Sequence, residues 1–78
     1  MNITLNGKPY AVRANASVTS LVSQITGREL ASNGQPADGQ RLGVAVARNS
    51  EVVHRSHWHG TALAEGDDIE LVTAIQGG

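Results

Sequence analysis

Val18-Thr19-Ser20-Leu21-Val22-Ser23-Gln24-Ile25-Thr26-Gly27 is the stretch whose reading decides the fold. Its apolar residues Val18, Leu21, Val22 and Ile25 fall at i, i+3, i+4 and i+7, which places all four on one face of a helix. The hydroxyl of Ser17 can accept from a free amide of the first turn. Gly27 can adopt the left-handed conformation that ends a helix. The spacing predicts one amphipathic helix over about residues 17–26.

Toward the amino terminus the period changes to two. Met1, Ile3 and Leu5 alternate with Asn2, Thr4 and Asn6, the mark of a half-buried strand. Asn6-Gly7 suits the positive φ angles of a tight hairpin turn. Tyr10 and Val12 then alternate with Ala11 and Arg13 in a second, antiparallel strand, with Pro9 at its start, where a missing amide is tolerated.

Toward the carboxyl terminus, residues 28–41 are polar and turn-rich, which predicts a surface loop anchored by Leu30. Gly43-Val44-Ala45-Val46-Ala47 is a continuous apolar run, as expected of a strand covered on both faces or nearly so. Asn49-Ser50 is turn chemistry, and Glu51-Val52-Val53 is the returning strand. His54 to Gly60 lacks alternation and predicts an irregular or single-turn helical crossover, after which Leu63 points inward. Glu65-Gly66-Asp67-Asp68 is a turn, and Ile69-Glu70-Leu71-Val72-Thr73-Ala74 is a last strand of strong β propensity. The order is hairpin, helix, hairpin, crossover, strand. One helix across one face of a mixed sheet buries both apolar faces. That is an α+β chain of ββαββ layout, the β-grasp or ubiquitin-like architecture, with the first and last strands parallel neighbours in mid-sheet. It predicts a single domain over residues 1–74 and a tail over 75–78.

Composition narrows the chemistry. The 78 residues include no cysteine and no phenylalanine, with one Trp and one Tyr, so the core is aliphatic and thiolate chemistry is excluded. A net charge of −1 with singly scattered arginines argues against nucleic acid as a partner. The first residues lack the basic start and apolar run of a signal peptide, and no stretch approaches the roughly 20 apolar residues that span a bilayer. A soluble, cytoplasmic protein is expected. No Ser-His-Asp set, paired-carboxylate cleft or phosphate-binding glycine loop is recognisable, so catalysis is not expected.

Ala74-Ile75-Gln76-Gly77-Gly78 is the most informative segment. Terminal glycines are common in frayed tails. Placed directly after the last strand of this fold they suggest more, because a Gly-Gly end without side chains can enter a narrow active-site channel and offer its carboxylate.

The run from Gly43 to Ala47 through Glu51-Val52-Val53, then Arg55-Ser56 with Trp58, then Gly66-Asp67 before the segment from Ile69 to Gly78, resembles ThiS, the sulfur carrier family of thiamine biosynthesis. The resemblance is close in the carboxy-terminal half and mainly one of pattern before it. His54 stands where the family often has proline, and the 28–41 loop is longer than usual. The resemblance implies that a ThiF-type adenylyltransferase uses ATP to adenylate Gly78. Sulfur drawn from cysteine by a desulfurase then gives a thiocarboxylate, which a ThiG-type thiazole synthase consumes. The chain would be a cosubstrate that binds no cofactor, monomeric when free. Ile75, Gln76, Gly77 and Gly78 would thread the partner's channel.

Three further features have two readings each. His54, His57 and His59 are close enough to suggest zinc, but no acidic residue lies between them and their spacings do not converge, so a solvated crossover is expected rather than a metal site. Trp58 is either an exposed anchor for a partner or a cover for the core edge, the commoner place for a lone Trp. Val72 and Ala74 would face away from the helix, as a docking patch beside the tail or as ordinary sheet surface. Two rivals remain: a carrier resembling the small subunit of molybdopterin synthase, and a ubiquitin-like interaction module without tail chemistry. Tails of the first kind commonly carry a nearby proline, and Ala74-Ile75-Gln76 has none.

Overall fold

The computed structural model describes residues 1–31, 33, 35–37 and 43–73. Asn6 and Gly7 both take positive φ, 50° and 81°, in a turn whose twist matches that of the strands it joins. They connect β1 (Asn2–Leu5) to its antiparallel partner β2 (Lys8–Ala11). Asn49 and Ser50, at φ 51° and 72°, repeat the device between β3 (Val44–Arg48) and β4 (Glu51–Val53). The last strand, β5 (Asp68–Thr73), lies parallel to β1 and antiparallel to β3. The sheet order is β2-β1-β5-β3-β4, so the first and last strands meet in its middle. Pro9 sits on the edge strand β2 opposite Thr4, where its missing amide costs no interior ladder bond.

The helix α1 (Val18–Thr26) is delimited by its caps. Ser17 Oγ accepts from the Ser20 amide at 3.1 Å, and Ser20 Oγ accepts from the Ser17 amide at 2.9 Å. This is a reciprocal capping box with serine in place of the usual Glu or Gln. Gly27, at φ 71°, donates to the Ser23 carbonyl at 2.9 Å and closes the other end. Val18, Leu21 and Val22 are buried with Ile3, Val46, Leu63, Ile69 and Leu71 in one aliphatic core roofed by Trp58. One helix on one face of a five-stranded mixed sheet is the β-grasp, ubiquitin-like architecture. No helix among the described residues is long and apolar enough to cross a membrane.

Two expectations about packing are corrected. Ile25 keeps 37% of its surface exposed rather than completing the buried stripe. It falls in the last turn, where the Gly27 cap ends the helix, so the sheet covers the stripe only over the first two turns. The run Val44 to Ala47 is covered on one face: Val44 and Val46 are buried, Ala45 is exposed and Ala47 half-buried. The strand does alternate, in side-chain size rather than polarity. Two alanines on the open face made it look continuously apolar.

The crossover expected after His54 contains a single turn of 3₁₀ helix, Arg55–His57, and Leu63 is buried after it. In the expected 28–41 loop, Leu30 bridges to Pro36 and packs against the core as an anchor. Ala74 and the tail from Ile75 to Gly78 lie outside the described residues.

Candidate functional site

Alternation along β5 fixes which residues face outward at its carboxyl end. Ile69 and Leu71 are buried, while Glu70 and Val72 project from the opposite, uncovered face, and Val72 is 61% exposed. Val72 pairs with Ala45 of β3, and Ala47 pairs with Val52 of β4, which is 70% exposed. These residues form an apolar strip across the open face, beginning two positions before Ala74. A separate shallow recess of about 350 Å³ lies beside β3 and β4, lined by Val44, Val46, Val53, Trp58 and Arg55 among others.

Asn6 holds the other flank of β5. Its backbone amide donates to the Ile69 carbonyl at 2.9 Å. Its side chain then takes both backbone groups of Leu71: Nδ2 donates to the Leu71 carbonyl at 3.2 Å, and Oδ1 accepts from the Leu71 amide at 2.9 Å. The β1–β5 residue pairing runs only through Thr4–Asp68 and Leu5–Ile69. The Asn6 carboxamide therefore extends the ladder by one more step, imitating a peptide group. In the sequence Asn6 counts as a polar strand position and as a turn residue, not as a partner of Leu71. The missed signal is that, of the residues tolerant of positive φ, asparagine alone carries a side-chain amide with both a donor and an acceptor.

Asp67 fixes the entry to the same strand. Its buried carboxylate accepts from Arg48 Nε at 2.8 Å, Asn49 Nδ2 at 3.2 Å and the Ala64 amide at 2.8 Å. Burial by itself would raise the pKa of Asp67. The hydrogen bonds from Arg48, Ala64 and Asn49, with the Arg48 charge, outweigh it and hold the carboxyl below its ordinary value. Asn49 Oδ1 also accepts from the Asp68 amide at 2.9 Å, tying the β3–β4 turn to the start of β5.

Trp58 belongs to the core and not to a partner surface. It is 1% exposed, and its Nε1 donates to the Val53 carbonyl at 2.8 Å. The Arg55 guanidinium stacks over its ring at 5.6 Å, a cation–π contact that shields the ring from solvent. The His54 and His57 rings meet edge to face at 6.1 Å. Among the described residues no three His, Asp or Glu side chains converge as metal ligands would.

The geometry is thus a firmly held central strand that runs to Thr73 beside an open apolar strip. The sequence model of the ThiS family matches residues 3–78. The chain belongs to the ThiS family. A crystal structure of the thiamine biosynthesis protein ThiS from Geobacter metallireducens is similar at 31% identity, covering the whole of both chains with a TM-score of 0.70. The solution structure of a thiamine biosynthesis protein from the same organism is also 31% identical, over all of this chain and 88% of that one, with a TM-score of 0.68. SAMP1 from Haloferax volcanii, at 24% identity over 99% of this chain and 97% of that one, has a TM-score of 0.55 and shares the fold. No curated protein matches the sequence.

Proposed function

We propose that the chain is a sulfur carrier of thiamine biosynthesis and that its reacting group is the Gly78 carboxylate. The observation that carries this reading is membership of the ThiS family over residues 3–78, a match that includes Gly77-Gly78.

The chemistry follows from the carboxylate. It is a poor electrophile, so a ThiF-type adenylyltransferase would join it to AMP from ATP, with loss of pyrophosphate. Sulfur supplied from cysteine through a desulfurase, carried as a persulfide, would attack the acyl carbon and displace AMP, and a thiol reductant would then cleave the acyl disulfide. The resulting thiocarboxylate is a soft nucleophile that a ThiG-type thiazole synthase would consume, returning the carboxylate. The carrier is a cytoplasmic cosubstrate in this scheme, and free copies are monomers. Glycines at 77 and 78 place no side chain in the partner's channel. Val72 and Ala45 would rest against the partner while the tail from Ile75 reaches inward, since exposed apolar strips commonly mark interaction sites.

The test has two arms. Carrier incubated with a matched ThiF-type enzyme, ATP and a sulfur source should gain the oxygen-to-sulfur mass difference at Gly78. Deleting Gly77 and Gly78 should abolish ATP–pyrophosphate exchange while leaving the melting temperature nearly unchanged. The deletion withdraws the carboxylate by up to roughly 7 Å, the extended reach of two residues. Misplacement of about 1 Å is already enough to cost 100-fold in a reaction. Full exchange by the deleted chain would end the carrier reading.

A further inference from the structure

We propose that Asn6 is a positioning residue for the carrier reaction: its side-chain carboxamide clamps Leu71 and so fixes where the chain leaves the sheet toward Gly78. The inference rests on the carrier reading for its consequence, but the clamp itself stands on geometry alone.

β5 outruns β1. On its β3 side the strand is paired to its end, through Ala45–Val72 and Val44–Thr73. On its β1 side the residue pairs stop at Leu5–Ile69. Without a further partner, the Leu71 amide and carbonyl would face water, and the last residues before the tail would hang from one neighbouring strand. Asn6 supplies both missing bonds from one planar group, at 2.9 and 3.2 Å. The turn makes this possible. At φ 50°, Asn6 is the first residue past β1, and its own amide is still bonded to Ile69. One residue therefore makes three hydrogen bonds along the same flank of β5.

A strand end held on both flanks is ordered before the partner arrives. Held on one flank it must be ordered during docking, and the entropy of that ordering weakens binding. Once docked, the loosened chain occupies the same place as the wild-type one. The loss is therefore in affinity and not in the chemical step, and it appears in KM with kcat nearly unchanged.

Asn6→Gly removes the clamp and tolerates the positive φ that the turn needs. Asn6→Asp keeps the acceptor for the Leu71 amide and loses the donor to its carbonyl. In native-state hydrogen exchange of free Asn6→Gly, the Leu71 amide should lose its protection selectively, while the Glu70 and Val72 amides, facing β3, keep theirs. In ATP–pyrophosphate exchange, KM for the carrier should rise about tenfold, the equivalent of ordering roughly one backbone residue. Asn6→Asp should fall between Asn6→Gly and wild type in KM. Leu21→Ala, measured where it is still folded, is the control: it lowers stability without touching the clamp and should leave KM alone.

A Leu71 amide as protected in Asn6→Gly as in wild type would overturn the clamp. Lost protection with unchanged KM would overturn the positioning role, and so would a KM rise shared by Leu21→Ala. Should Asn6→Gly not fold, Asn6→Ala, which also removes both side-chain bonds to Leu71, decides by the same readings. A wild-type chain that is never adenylated counts against the carrier reading instead, and the exchange measurement alone then judges the clamp.

Discussion

Replacing Val72 by aspartate separates the two faces of the sheet. Val72 projects from the uncovered face with 61% of its surface exposed, while its neighbours Leu71 and Ile69 hold the core side. The substitution removes little buried area, so the melting temperature should fall only slightly, through weaker β propensity. Docking should suffer far more. Burying a valine side chain completely contributes about 1.5–3 kcal/mol. The exposed six-tenths is what a partner can still cover, so contact with it is worth about 0.9–1.8 kcal/mol, or roughly 5–20-fold in affinity. Aspartate forfeits that and adds the cost of desolvating a charge, so the weakening should reach at least the upper figure. Titration of the folded variant against a ThiF-type enzyme by calorimetry measures it directly. Binding within about twofold of wild type, well below that range, would refute the assignment of the open face to the partner. A large fall in melting temperature would refute the assignment of Val72 to that face at all.

Leu21→Ala should cost about 2–5 kcal/mol, because Leu21 is 1% exposed beneath the helix; chemical denaturation with an unchanged midpoint would reject the packing described here. Asp67→Asn should destabilise the protein at neutral pH by about 1–3 kcal/mol, through weaker bonds to Arg48 and Ala64. The folded-state pKa of Asp67 lies below its ordinary value, so its contribution is complete above the unfolded-state pKa near 3.8 and is lost as pH falls through the lower folded value. The stability gap between wild type and Asp67→Asn should therefore be constant at neutral pH and close under acid; a gap that widens on acidification would contradict the network.

The elements were legible because each carries a local signal. The helix announces itself through Val18, Leu21 and Val22 and its Ser17 and Gly27 caps, and both hairpins through Asn6-Gly7 and Asn49-Ser50. What could not be read was whatever depends on partners far along the chain. Asp67 is 19 residues from Arg48, and Asn6 is 65 from Leu71. Neither separation leaves a mark in periodicity. Trp58 was open between surface and core because composition says nothing about which carbonyl its indole will find; the Val53 carbonyl decides it. The run from Gly43 to Ala47 reads as covered on both faces or nearly so because hydropathy does not distinguish a small outward side chain from a buried one.

The missed residues share a logic. A single helix covers one face of the sheet, so the whole core lies on that side and the other face is free to carry an apolar strip without competing with folding. The central strand β5 belongs to both: Ile69 and Leu71 anchor it in the core, while Val72 looks outward toward the strip. A segment that follows such a strand inherits its rigidity only if the strand is held to its end. Hydrophobic burial cannot do that beyond Leu71, because Val72 and Thr73 are exposed. Hydrogen bonds must, and they come from β3 on one flank and Asn6 on the other, with Asp67 fixing the strand's beginning. The polar residues of the turns are thus the ones that hold β5 at its two ends.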